Sequence, residues 1–127
     1  MRSMSYQILI VEDQKIAQFA MRITLQSYDC ELDMVMSGEE ALEKTAQKKY
    51  DLIFMDIGLD GELNGLETIQ KIRESLNKNQ TTPIYILTAH EESSFPEQGD
   101  VFQLAQGVIQ KPLSDEKCAE IFQGIGQ

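Results

Sequence analysis

Apolar residues in this chain gather in four short runs, and each run stops at a chemically loaded residue. Ile8-Leu9-Ile10-Val11 leads into Glu12-Asp13, and Leu52-Ile53-Phe54-Met55 leads into Asp56. Ile84-Tyr85-Ile86-Leu87 leads into Thr88-Ala89, and Val108-Ile109 passes through Gln110 into Lys111-Pro112. Unbroken apolar runs bounded by polar residues suit strands buried on both faces of a parallel sheet. Ligands of such sheets sit just beyond the carboxyl ends of the strands.

Helix-like segments alternate with these strands, which predicts an α/β fold. Gln14–Tyr28 places Ile16, Phe19, Ala20, Ile23 and Leu25 near helical spacing. Leu32–Met36 reads as a weaker strand with Asp33 inside it, suited to a sheet edge. Ser37 fits an N-cap, with Glu40 at the capping-box spacing, for a helix carrying Ala41, Leu42, Thr45 and Ala46 on one side. Ile57–Asn64 has no periodicity and reads as a loop. Leu66, Ile69, Ile72 and Leu76 define a further helix. Pro83 at the start of a strand costs little, since the first residue can spare its donor. A short or irregular helix is expected around Glu97–Leu104, because Pro96 and Gly99 interrupt anything longer. Ser114 fits the cap of a last helix through Cys118, Ile121 and Phe122. Five strands and five helices alternate in this reading.

A chain of 127 residues is the size of one ordinary domain. The expectation is a single domain over 1–127 with a core from about 6 to 124. No apolar run approaches the ~20 residues of a membrane span, and the first residues lack the apolar core of a secretory signal. A formal charge of −10 argues against binding nucleic acid through phosphates. Two cysteines, Cys30 and Cys118, are too few for a disulfide framework, so reduced thiols in the cytoplasm are expected, with Cys118 in the core.

Parallel strands lie about 5 Å apart, so side chains just past neighbouring strand ends can share one ion. Glu12, Asp13 and Asp56 bring three negative charges there, and Lys111 returns one positive. A divalent cation removes the imbalance. Oxygen-only ligands point to Mg2+ over Zn2+.

From Ile8 to about Phe122 the chain resembles the receiver domain of two-component response regulators. The resemblance rests on Glu12-Asp13, the Asp56 that ends LIFMD, Thr88-Ala89 after IYIL, and Lys111-Pro112, in register with a (βα)5 pattern. It implies a doubly wound, five-stranded parallel sheet in flavodoxin-like order 2-1-3-4-5. It implies that Asp56 is the nucleophile and takes a phosphoryl group from a phosphohistidine of a partner histidine kinase or phosphotransfer domain. Asp13, Asp56 and the Gly58 carbonyl would hold Mg2+, with Glu12 reaching it directly or through water. Lys111 would pair with the phosphoryl oxygens, and Thr88 would turn its hydroxyl toward them. Ala89 leaves room for the group, His90 and Gly58 line the mouth, and the Lys111-Pro112 bond is expected cis. The resemblance leaves room for a homodimer and for a receiver module of a hybrid kinase.

Three departures from the family pattern stand out. The loop after Asp56 lacks the usual proline and reaches Gly65 one residue late, which predicts a looser Gly58 contact. Val108 stands where an aromatic usually swings inward on activation, which puts the usual relay in doubt. Glu91–Gly107, commonly the output face, is broken by Pro96 and Gly99. Two other functions compete with the phosphoacceptor switch. A Mg2+-dependent aspartyl-phosphate phosphatase would ordinarily carry an acid two residues past the nucleophile, where this chain has Gly58. A pseudo-receiver would act only through protein contacts.

Overall fold

The computed structural model describes residues 5–59, 61–89 and 103–125. In chain order the elements are β1 (Tyr6–Val11), α1 (Lys15–Leu25), β2 (Cys30–Val35), α2 (Gly38–Gln47), β3 (Leu52–Asp56), α3 (Gly65–Glu74), β4 (Ile84–Thr88), β5 (Gly107–Gln110) and α4 (Asp115–Ile125). All neighbouring strands pair in parallel. The sheet order is β2-β1-β3-β4-β5, as the resemblance implies. Of the helix expected around Glu97–Leu104, only Gln103 and Leu104 fall within the described residues, and they form a turn.

Alternate residues of each strand face opposite layers. Ile8, Ile10, Leu52 and Phe54 pack toward one side, with Met21 and Leu25 of α1 and Cys118, Ile121 and Phe122 of α4. Leu9, Val11, Ile53, Met55, Ile84 and Ile86 pack toward the other, with Ala41 of α2 and Ile69 and Ile72 of α3. Both faces are therefore covered, which explains why the strand code is continuously apolar.

β2 lies at one edge of the sheet, as its polarity predicts. Asp33 is tolerated there because Lys48 Nζ lies at 3.0 Å and the Tyr50 hydroxyl donates to it at 2.7 Å. Burial alone would raise the Asp33 pKa, but these two donors outweigh it and hold it below the usual carboxylate value.

Four details differ from the expected pattern. α1 is shorter than Gln14–Tyr28 and buries Met21 and Leu25. Ile16 (85% exposed), Phe19 (63%) and Ile23 are left facing outward. The capping box of α2 is offset: the Ser37 side chain accepts from Glu40 N–H, while the Glu40 carboxylate accepts from Met36 N–H. Ala46 is exposed, so the buried stripe of α2 is Ala41 and Thr45. Leu76 lies past the end of α3 and is 97% exposed. The chain leaves the helix at Ser75, which has extended backbone angles, so Leu76 never reaches the core-facing stripe of Ile69 and Ile72.

Cys118 is fully buried, and burial, then Asp115 and Cys30, pushes its thiol up to about 11. The thiolate is the reactive form, so little of it exists at pH 8. Half-buried Cys30 is also raised, by burial and then Asp29. Labelling of the native protein with an alkylating reagent is expected to modify Cys30 first and Cys118 only on unfolding. Intact mass followed by peptide mapping checks the order.

Candidate functional site at the carboxyl edge of the sheet

Strand register brings the predicted residues together. Val11 pairs with Met55, so Glu12 leaves β1 beside Asp56 at the end of β3. Asp56 pairs with Leu87, which places Thr88 one residue beyond it on β4. Thr88 pairs with Gln110, so Lys111 leaves β5 at the same edge. Main-chain bonds carry the pairing past the strand ends: Glu12 N–H to the Val35 carbonyl at 3.0 Å, Ile57 N–H to Leu87 at 2.9 Å and Lys111 N–H to Thr88 at 2.7 Å.

Lys111 starts from the strand at the far edge of the sheet, yet its ammonium reaches across β4. It lies 2.7 Å from Glu12 Oε1 and 3.4 Å from Asp56 Oδ1. Only a long, flexible stem allows that span. Glu12 is wholly buried, and among the described residues its Oε1 has no hydrogen-bond donor apart from this ammonium. Burial raises the Glu12 pKa above the usual value, although Lys111 opposes the rise. Burial pulls Lys111 down, but its bond to Glu12 and the charge of Asp56 prevail and leave it raised.

Carboxylate oxygens of Glu12, Asp13 and Asp56 lie within 4.8 Å of one another. Three carboxylates against one ammonium form a dense, oxygen-only cluster with net charge −2, a fit to a hard divalent cation such as Mg2+. Asp56 is buried and accepts from Gly58 N–H at 3.0 Å. That bond holds the first residues of the loop against the carboxylate.

The loop, expected to be loose, is anchored on both sides of its extra residue. Leu59 is buried in the core shared with α2 and α3. Asn64 and Glu67 form a reciprocal capping box on α3, with bonds of 2.8 and 3.0 Å. Between them Gly61 has φ of +112°, a conformation that favours glycine. Gly65 permits a close approach: a Cβ there would clash with the Asp56 carbonyl oxygen.

The model of the family described as "Response regulator receiver domain" matches residues 8–123. The chain belongs to the response regulator receiver domain family. The autoinducer 2 sensor kinase/phosphatase LuxQ of Vibrio vulnificus is 34% identical to this receiver domain over 110 residues, which is 87% of this chain and 12% of LuxQ. The response regulator ArlR of Staphylococcus saprophyticus is 41% identical over 87 residues, 68% of this chain and 37% of ArlR. The chain thus spans about an eighth of the one relative and about a third of the other. Among solved structures, the receiver domain of sensor histidine kinase PA1611 from Pseudomonas aeruginosa has a TM-score of 0.82 with 27% identity. The match covers 97% of this chain and 99% of that one, whose structure has a magnesium ion coordinated in the active site cleft. A CheY-like receiver domain from Methylobacillus flagellatus has a TM-score of 0.82, 26% identity and coverage of 95% and 98%.

Within this receiver domain, Glu12, Asp13, Asp56, Thr88 and Lys111 meet at one edge, as expected from sequence. Ala89 follows Thr88 and is exposed. The Lys111-Pro112 bond is cis, as expected. His90 lies outside the described residues, as do Pro96 and Gly99 of the output segment. Val108 packs half-buried against the core of α2 and α3. The sequence reading missed Gln14 and Gln18. Gln14 N–H donates to Glu12 Oε2 at 3.2 Å, and the Gln18 side-chain amide donates to the Glu12 carbonyl at 2.7 Å. Glutamine four residues apart at a helix start carries no distinctive signal, so only the fold reveals this role.

Proposed function

We propose that this domain is a phosphoacceptor switch in which Asp56 takes a phosphoryl group from a phosphohistidine of a partner histidine kinase or phosphotransfer domain. The observation that carries the reading is the placement of buried Asp56 between a carboxylate cluster and an ammonium at 3.4 Å. An Asp56 carboxylate oxygen attacks phosphorus, the bond from phosphorus to the imidazole nitrogen breaks, and the electron pair leaves with the imidazole. Transfer of this kind depends mostly on positioning and charge stabilisation. Lys111 follows the charge from Asp56 to the incoming phosphoryl oxygens. Asp13 and Asp56, with Glu12 directly or through water, hold Mg2+. Bound there, Mg2+ offsets the acidic charge and the charge of the phosphoryl oxygens. The Thr88 hydroxyl answers the phosphoryl group, and the Gly58 carbonyl would give Mg2+ a further oxygen. No acid stands at Gly58, whose amide donates to Asp56, so turnover as a phosphatase is the weaker reading.

Relatives with sensor kinase and response regulator names support a place in two-component signalling. The chain is proposed to serve as the receiver module of a hybrid kinase on the cytoplasmic side. No described helix is long and apolar enough to cross a membrane.

Incubation with acetyl phosphate and Mg2+, read by intact mass, tests the function. A gain of one phosphoryl group that chelation prevents is expected. An unmodified protein would favour a pseudo-receiver instead.

The partner is proposed to dock on α1. Ile16, Phe19 and Ile23 are exposed on the helix that begins two residues after Asp13. A cleft of about 80 Å3 under another side of α1, lined among others by Ala17, Met21, Thr24 and Leu113, reaches Glu12 and Lys111. In this reading the partner that carries the phosphohistidine docks on the exposed face of α1. Phe19→Glu is expected to slow transfer from a phosphorylated histidine protein at least about tenfold, by loss of an apolar anchor. Labelling by acetyl phosphate should stay within twofold. Equal loss with both donors would remove α1 from the partner surface.

A further inference from the structure

We infer that Gln18 is a positioning residue for the acidic pair, a step that rests on the Mg2+ reading above. The turn from β1 to α1 has to present Asp13 at a fixed angle. Gln14, the residue that precedes the helix, makes no side-chain cap bond, so the helix start is not secured in the ordinary way. Two bonds accepted by Glu12 tie the turn to the helix instead. Its Oε2 accepts the Gln14 N–H at 3.2 Å, and its carbonyl accepts the Gln18 amide at 2.7 Å. Gln18 is itself locked into the helix, its N–H donating to the Gln14 carbonyl at 3.0 Å.

Glu12 is therefore held by every polar group it owns. Its N–H goes to Val35 on β2, its carbonyl to Gln18, its Oε2 to Gln14 and its Oε1 to Lys111. Asp13 hangs between Glu12 and Gln14, both of them fixed through this arrangement. A peptide plane released at Glu12 would swing the Asp13 carboxylate away from Asp56. Gln18 is suited to the task because its amide is a neutral donor.

Outer hydrogen bonds that orient metal ligands commonly contribute tenfold or more to affinity. Gln18→Met keeps the length and helix preference of the side chain and removes the donor. Calorimetric titration with MgCl2 is expected to show a Kd about tenfold weaker than in the unaltered protein. Acetyl phosphate labelling should fall at limiting Mg2+ and return to within twofold at saturation, because Gln18 touches no reacting atom. Gln18→Ala, which also lacks the donor, should behave alike and guards against a packing effect peculiar to Met. Unchanged Mg2+ affinity in both variants would overturn the role, whatever their melting temperatures. Failure of the unaltered protein to bind Mg2+ would instead bring down the metal reading and this inference with it.

Discussion

Asp56→Asn is expected to lose phosphoryl uptake completely while keeping its fold. Asparagine presents the same Oδ1 to the Gly58 N–H, now 3.0 Å from the carboxylate, and to the Lys111 ammonium. What it lacks is the anionic oxygen that attacks phosphorus. The charge balance moves in favour of the unliganded protein. Three carboxylates with oxygens within 4.8 Å and one ammonium become two carboxylates and one ammonium. At that separation each like-charge pair costs about 3 kcal/mol with an effective dielectric near 20, and loss of the Lys111 attraction offsets much of the relief. The unfolding midpoint without metal should hold or rise. Mg2+ at ten times its Kd stabilises a folded protein by about 1.4 kcal/mol. That increment should shrink by more than half in the variant. Intact mass after acetyl phosphate treatment and thermal melts with and without MgCl2 read both effects. A variant that still gains one phosphoryl group would move the acceptor to another residue.

Asn79→Ala is expected to lower stability by about 3 kcal/mol without touching the site. Asn79 is fully buried and uses its whole side chain. Its Oδ1 accepts from Tyr50 N–H at 2.8 Å and from the Thr82 hydroxyl at 2.9 Å. Its Nδ2 donates to the Thr45 carbonyl at 2.9 Å and the Lys48 carbonyl at 2.7 Å. One amide thus joins the end of α2, the entry to β3 and the entry to β4. Alanine strands one donor, the Tyr50 N–H, and two carbonyl acceptors, while the Thr82 hydroxyl can turn to the Tyr50 carbonyl at 3.1 Å; each unsatisfied group costs about 1–3 kcal/mol, less whatever water enters the void. Denaturant melts measure the loss. Phosphoryl uptake at a temperature where the variant is folded should be normal, because the amide lies at the opposite end of the strands. A loss below about 1 kcal/mol would mean that water replaces the amide well.

How far the fold could be read from sequence differs among its elements. The strands were legible because burial on both faces demands an unbroken apolar code, and α2, α3 and α4 were legible from Ser37, the Ile69 and Ile72 spacing, and Ser114. The capping of α4 is as expected, with the Ser114 hydroxyl accepting Lys117 N–H at 3.0 Å. α1 was harder. It carries two apolar stripes, Met21 with Leu25 and Ile16 with Phe19 and Ile23, and helical spacing fits both. Tertiary packing chose the first, since only that stripe faces Ile8 and Ile10 of the sheet. Asn79 was invisible for another reason: a polar residue before a strand looks like any turn residue until its four partners are assembled from distant segments.

By itself the sequence determined which residues end the strands, and with them the candidate chemistry of Glu12, Asp13, Asp56, Thr88 and Lys111. Local rules suffice for that, because apolar runs and their polar stops are written in neighbouring positions. Only the tertiary structure decided that Lys111 passes the ends of β4 and β3 to meet Glu12, that the Gln18 amide bonds the Glu12 carbonyl, and that α1 turns Phe19 outward. Those outcomes depend on strand order, stem length and which helix face finds room on the sheet, and none of these is a property of adjacent residues.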